Sequence, residues 1–195
     1  MDTPYDIYFS ADIETDGPIP GPYSMLSFGI AVAGIFDGER FLRVDPTERT
    51  FYQELKPISD NYDAETAAVS GLDRQRLLVE GTDPGTAMDL AADWIRDCAD
   101  GGSPVLIAFP LSFDWSWLWW YFNAFGERGS PFGFSNCYDI KTAYAVRAGR
   151  PITLSGRSKL PDRLRSSRPH EHHALADAIE QADIFANLME WDGPE

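Results

Sequence analysis

Asp6-Ile7-Tyr8-Phe9-Ser10-Ala11-Asp12-Ile13-Glu14-Thr15-Asp16-Gly17 is an apolar run that turns acidic and then breaks at a glycine. Residues 6–11 read as a strand, a short segment rich in aromatic and β-branched side chains that runs into a Gly/Pro loop. In extended backbone, side chains two positions apart share a face, so Asp12 and Glu14 project together while Ile13 points into the sheet. Two converging carboxylates repel, and one tends to hold a proton; a divalent cation removes that penalty and makes the pair a ligand set. Mg²⁺ and Mn²⁺ favour oxygen ligands of this kind. Acid pairs at strand ends are also common without any metal, so the weight falls on what the rest of the chain adds.

Downstream, residues 26–36 form a second apolar run, and 41–44 and 50–55 are shorter strands, with Asp37-Gly38 as a hairpin turn signal. Helical patterning follows over 63–78 and again over 86–98, where Met88, Leu90, Ala91, Trp94 and Ile95 recur at spacings suited to one buried face. Pro104-Val105-Leu106-Ile107-Ala108-Phe109 reads as a buried strand. A helix running to about residue 125 comes next, with Ser112 as its cap and Asp114 in its first turn. A short helix over 139–147, an irregular proline-bearing stretch over 149–168 and a last helix over 172–190 complete the chain. The last helix puts Leu175, Ile179, Ala182, Phe185, Ala186 and Met189 on its apolar side. Strands first, then helices alternating with a buried strand, predict one α/β domain over 1–195: a mixed five-stranded sheet flanked by helices.

With 195 residues, 44% hydrophobic and 24% charged, the chain has ordinary globular composition and can bury one sizeable core. No apolar run approaches the roughly 18 residues of a membrane span, and the amino terminus carries acid where a signal peptide carries base, so a cytoplasmic protein away from membranes is expected. Cys98 and Cys137 have no zinc-site spacing and read as reduced, buried thiols. The net charge of −15 sits awkwardly with a polyanionic ligand, which it would repel at long range. Base is concentrated, however, between Arg157 and Arg168, a stretch of +4 against −19 for the remainder. It runs straight into His172, and Arg163, Arg165 and Arg168 are the candidates for phosphate contacts in a small positive funnel; a solvated polar loop is the plainer reading.

Two further motifs stand beside the strand pair. Asp114 sits in Ser112-Phe113-Asp114-Trp115, and His172 and Asp177 sit in His172-His173-Ala174-Leu175-Ala176-Asp177-Ala178. Each has a bland account: an acid at a helix start stabilises the positive end of the dipole by about 0.3–1 kcal/mol, and Asp177 could be a solvated helical position. Together and in this order, over nearly the whole chain, Asp12-Ile13-Glu14-Thr15-Asp16-Gly17, Phe113-Asp114 and His172-x-Ala174-Leu175-x-Asp177-Ala178 resemble the three motifs of the DEDDh 3′–5′ exonucleases, the superfamily of RNase T, oligoribonuclease and the polymerase proofreading domains.

That resemblance implies an RNase H-like sheet carrying Asp12, Glu14, Asp114 and Asp177 as ligands of two Mg²⁺ or Mn²⁺ ions. It also implies His172 as the general base toward the attacking water, a role suited to a group titrating near neutrality, and release of 5′-mononucleotides from a 3′ end. His172 precedes Asp177 by five, as the DEDDh pattern has it, whereas His173 precedes it by four, where the sister DEDDy group places a tyrosine. His173 and His170 then read as solvent-facing or capping residues. Thr15 matches the family position and would approach the terminal sugar. Two positions depart from the pattern. Phe109-Pro110 stands where a His-Asn pair is frequent, and Asp16 stands where a small residue is frequent and would repel a phosphate unless it turns away.

The aromatic run 113–122 is dense. At helical spacing Phe113, Trp117 and Trp120 face one way, and Trp115, Trp119 and Phe122 another; rings on two faces point to a partner subunit or to bases, whose stacking contributes about 1–3 kcal/mol each. Phe113, beside Asp114, is the stacking candidate, with a homodimer covering the rest. The expected partner is the 3′ end of single-stranded RNA or DNA, with RNA favoured because free-standing domains of this size resemble the RNase T and oligoribonuclease branch. A phosphohydrolase of short oligonucleotides or nucleotide derivatives would suit the acidic charge better. A non-catalytic binding module on the same fold is disfavoured by the intact acid set.

Overall fold

The computed structural model describes residues 5–194. Strand β1 (Asp6–Thr15) lies at the centre of a mixed sheet. Strand β2 (Met25–Phe36) runs antiparallel to it, pairing Asp12 with Gly29 and Glu14 with Ser27. Both β3 (Phe41–Arg43) and β4 (Thr50–Glu54) pair antiparallel with β2. On the other side of β1, β5 (Ser103–Ala108) and β6 (Cys137–Asp139) add in parallel, giving the order β3-β2-β1-β5-β6 with β4 also on β2. Among the described residues the sheet therefore has six strands rather than five. The extra strand, β6, is three residues long, too short to carry an alternation that a sequence reading could detect.

Among the described residues six α-helices accompany the sheet: α1 (Ala64–Ser70), α2 (Arg74–Glu80), α3 (Pro84–Ala99), α4 (Leu111–Ala124), α5 (Ile140–Arg147) and α6 (Ala174–Met189). The stretch read as helical over 63–78 is two helices, because Gly71 adopts a left-handed φ of 66° that ends α1, and Asp73 caps a new start. Helix α4 starts after Pro110, which has no capping side chain, so Ser112 lies inside the first turn instead of capping it. The last helix begins two residues later than expected, because His173 is its N-cap and accepts from the Ala176 N–H. The segment between α5 and α6 contains three single-turn helices, Ile152–Leu154, Arg157–Lys159 and Asp162–Leu164. Among the described residues no helix is long and apolar enough to cross a membrane.

The period of two along β1 divides the core. Ile7, Phe9, Ala11 and Ile13 pack with α3 and α4 residues such as Met88, Ile95, Trp117 and Tyr121. Tyr8, on the opposite face, packs with Ile107, Ile140, Tyr144 and Phe185, and α5 and α6 cover that side. Asp12 and Glu14 share the parity of Tyr8, so the pleat of a central strand turns both acids toward α6.

Candidate active site

Helix α6 reaches β1 because β2 carries Gly29 opposite Asp12. A Cβ built at Gly29 would lie 2.4 Å from the Cα and N of Leu175 and 2.6 Å from the Ala174 carbonyl carbon, so the first turn of α6 rests directly on the strand backbone. That contact places Asp177, 1% exposed, over the strand pair. One carboxylate oxygen each from Asp12, Glu14 and Asp177 lie within 4.8 Å of one another. Asp114, in the first turn of α4, is buried and lines the same cleft of about 800 Å³. The four acids predicted from the sequence, drawn from β1, α4 and α6, are thus brought together.

Their proximity is electrostatically costly. Burial, then repulsion from Asp114, Asp177 and Glu14, pushes Asp12 well above the usual carboxylate range, with Arg157 opposing. Burial and the charges of Asp177 and Asp114 lift Glu14 to about 7. Burial also lifts Asp114 to about 7, against backbone hydrogen bonds and Arg157 that favour its charged form. Asp177 Oδ1 accepts from the Glu171 N–H at 2.8 Å, but its Oδ2 is buried without any partner. An orphaned carboxylate oxygen beside three destabilised carboxylates fits a divalent cation with oxygen ligands, which would supply the missing partner and offset the repulsion.

Several groups hold this arrangement. Gln181, one turn after Asp177, donates from Nε2 to Asp12 Oδ1 at 2.7 Å and accepts from the Phe109 N–H at 2.6 Å. Arg157 donates to Glu180 Oε2 at 2.7 Å and to the Phe109 carbonyl at 3.4 Å, with its guanidinium 5.8 Å from the Phe109 ring centroid. Phe109-Pro110 is therefore a structural junction between β5, α6 and Arg157. Sequence reading missed Glu180 and Gln181, yet they stand three and four positions after Asp177 on one helical face, a spacing that could have flagged them. Arg157 lay inside the basic stretch but without a role.

The three histidines separate. His173 caps α6 and stacks on Tyr52, with ring centroids 4.9 Å apart and an interplanar angle of 21°, away from the cleft. His172 lines the cleft, exposed, with a left-handed φ of 54°. His170 also lines it and meets Asp177 Oδ1 at 3.0 Å; its ring touches that of His172 edge-on at 4.7 Å. The carboxylate contact thus goes to His170, outside the motif, while His172 packs edge-on against it at the mouth.

Of the basic candidates, Arg165 and Arg168 line the cleft, but both are engaged: Arg165 with Asp162 at 3.0 Å and the Leu160 carbonyl, Arg168 with Asp183 at 3.1 Å. Arg163 does not line it, since its guanidinium lies 5.3 Å above the Trp191 ring and donates to the Gly193 carbonyl. Phe113 lines the cleft and is 40% exposed. Thr15 is buried, and its hydroxyl donates to the Gly17 carbonyl at 2.9 Å, which shapes the turn after β1. Asp16 turns inward, fully buried, accepting from the Ser24 N–H and pairing with Arg74 at 2.9 Å. It is thereby removed from the phosphate path. Trp117 and Phe122 are core, whereas Trp115 and Trp119 stack on each other half-buried.

The model of the 3′–5′ exoribonuclease Rv2179c-like domain matches residues 10–189. The 3′–5′ DNA exonuclease Cap18 of Escherichia coli is 35% identical over 187 residues, 95% of this chain and 92% of that protein. Among solved structures, the nuclease domain of 3′hExo, a DEDDh family member bound to rAMP, aligns with a TM-score of 0.66 at 15% identity, covering 98% of this chain and 96% of the other. S. pombe Pop2p in its Mg²⁺- and Mn²⁺-bound form aligns with a TM-score of 0.56 at 18% identity, over 91% and 81% of the two chains. At such identities the two structures establish the fold, RNase H-like α/β.

Proposed function

The chain belongs to the family of the 3′–5′ exoribonuclease Rv2179c-like domain, and from that premise we propose that it hydrolyses the terminal phosphodiester at the 3′ end of single-stranded nucleic acid by two-metal chemistry. A 3′–5′ exonuclease is what the family and the Escherichia coli relative have in common. The observation that carries the finer reading is the meeting of Asp12, Glu14, Asp114 and Asp177 in one cleft, with an oxygen of Asp177 buried and unpartnered. These four residues would hold two Mg²⁺ or Mn²⁺ ions. Bound there, the ions would supply Lewis-acid stabilisation of charge on the phosphate and a lowered pKa for water.

The chain's own groups divide the remaining work. His172, exposed at the cleft mouth, takes the proton of the attacking water and can pass it to solvent. Phe113, exposed beside Asp114, offers a face to the terminal base. Arg165 and Arg168 draw the backbone in, exchanging their present acidic partners for phosphate. Gln181 keeps Asp12 in place. The product is a 5′-mononucleotide.

RNA is the first substrate on the family's description, and DNA the second on the name of the Escherichia coli relative. A further reading, cleavage of short oligonucleotides, is favoured by the net charge of −15, which disfavours long polyanions. A single assay addresses all three: a 5′-labelled strand of about 20 nucleotides, a dinucleotide and a mononucleotide ester, each as RNA and DNA, with Mg²⁺, Mn²⁺ or chelator. Stepwise shortening from the 3′ end, abolished by chelator and by Asp12→Asn or His172→Ala, is the expected result. Chelator-resistant shortening would end the two-metal reading.

A further inference from the structure

We infer that His170, His172 and Asp177 form a second metal site, of the zinc class, at the mouth of the carboxylate cleft, and that its occupation shuts the exonuclease off. One ligand atom from each of the three residues lies within 4.8 Å of the other two, and the imidazoles meet edge-on with centroids 4.7 Å apart. Both rings are exposed, so an ion can reach them, while Asp177 beneath is 1% exposed and carries a buried oxygen with no hydrogen-bond partner. That orphaned oxygen is an observation independent of the histidines. The oxygen that meets His170 is the other one, Oδ1, at 3.0 Å, so the two oxygens of Asp177 are differently engaged.

The donor types separate this site from the carboxylate triad. Two imidazoles and one carboxylate suit Zn²⁺ and similar borderline ions, commonly with a fourth position left to water, whereas Mg²⁺ favours oxygen alone. A further carboxylate stands beside the site. Glu180 Oε2 stands 3.3 Å from His170 Nδ1, and Arg157 holds that carboxylate at 2.7 Å. Asp177 Oδ1 addresses the same ring nitrogen at 3.0 Å, so Glu180 adds negative charge beside the site and helps to fix the ring's orientation. Arg157 Nη1 also approaches His170 Nδ1 at 2.5 Å, a positive charge that opposes a dication, but its ion pair with Glu180 neutralises it.

Asp177 belongs to both clusters, so the two sites compete. An ion held by His170, His172 and Asp177 takes His172 out of proton transfer and withdraws Asp177 from the Asp12–Glu14 pair. The inhibitory consequence rests on the exonuclease reading above; the binding site itself does not. His170 lies outside the His172-to-Asp177 motif, so this device is a property of the particular segment that enters α6.

The test pairs binding with inhibition. Chelator-treated protein is titrated with Zn²⁺ by calorimetry and with Co²⁺ by visible absorption, for the parent chain and for His170→Ala, His170→Cys and His172→Ala. Circular dichroism checks that each variant is folded. The parent should bind Zn²⁺ and develop the intense absorption of low-coordinate Co²⁺. His170→Ala and His172→Ala should lose Zn²⁺ affinity by more than the roughly 100-fold that removal of an outer-shell partner can cost, and His170→Cys, which restores a ligand, should recover it. In Mg²⁺-supported cleavage, Zn²⁺ should inhibit the parent at concentrations that leave His170→Ala active. Equal Zn²⁺ affinity and an unchanged Co²⁺ spectrum in His170→Ala would overturn the site. Absence of Mg²⁺-supported cleavage in every protein would instead refute the exonuclease reading and leave the binding result standing.

Discussion

Gly29→Ala tests whether the geometry of the acid cluster depends on the contact between α6 and β2. The added Cβ would sit 2.4 Å from backbone atoms of Leu175, against an optimal carbon–carbon separation of about 3.5–4.0 Å. Both sides of the clash are backbone, so no rotamer relieves it and the start of α6 must lift by about 1 Å. Asp177 lies two residues beyond Leu175 in the same turn and moves with it, away from Asp12 and Glu14. A misplacement of about 1 Å at a catalytic constellation costs about 100-fold in rate. The overpacking itself costs about 1–3 kcal/mol, or roughly 2–4 °C in Tm per kcal/mol for a domain of this size. Gly81→Ala supplies the control: its Cβ would lie 2.5 Å from the Leu77 carbonyl oxygen and the Lys56 nitrogen, a comparable clash at the end of α2. Thermal melts and single-turnover cleavage below both transitions separate the effects. Gly29→Ala should lose both stability and about two orders of magnitude in rate, and Gly81→Ala stability alone. Equal rates for the two variants, at equal loss of Tm, would refute the dependence of the acid cluster on this contact.

In metal-free buffer, Glu14 and Asp114 titrate near 7 in the folded chain, above their ordinary values, so the folded state binds more protons than the unfolded one across that interval. Their contribution to stability is therefore present below about pH 4 and is lost as pH rises through about 7. The Tm of Glu14→Gln should overtake the parent's over that range, and a difference independent of pH would contradict it. Arg74→Ala leaves the fully buried Asp16 carboxylate unpaired, which costs about 3–5 kcal/mol; denaturant unfolding should show that loss, and Asp16→Asn combined with Arg74→Met should recover most of it. Arg165→Ala and Arg168→Ala should raise KM for a single strand and flatten its salt dependence, while Arg163→Ala, whose side chain lies on Trp191, should leave both unchanged. Equal effects of all three would show that the basic stretch acts only through net charge.

What could be read in advance follows from where the periodicity is local. The pairing of Asp12 with Glu14 needs only the two-residue repeat of a strand, and Asp114 in a first turn needs only a helix start, so both were legible. Strand β6 was not, because three residues after a loop have no pattern of their own and are strand only through pairing with Leu106, Ile107 and Ala108. A capping role was among the readings open to His173, but the left-handed turn at His172 and the contact of His170 with Asp177 were hidden, since both depend on how the segment enters α6. Asp16 looked like an obstacle to phosphate because its partner, Arg74, lies 58 residues away on a helix that the sequence could not orient.

The basic stretch fails as a simple funnel for the same reason, and its failure bears on the acidity of the chain. Helix α6 carries Glu180, Asp183 and Asn187 on one side, and these take Arg157, Arg168 and the carbonyls of Leu164 and Arg165. The segment is thereby clamped to the helix that carries Asp177, so its positive charge is spent largely on fixing the wall of the cleft. Under the proposed function, attraction of a polyanion over distance would then be weak, and recognition would rest on contacts inside the cleft: Phe113, the two arginines that line it and the cations that four repelling carboxylates favour. On the same reading, whatever salt dependence binding has is then carried by the phosphate contacts of Arg165 and Arg168 in the cleft rather than by the field of the whole chain, which salt screens beyond about 8 Å at physiological ionic strength.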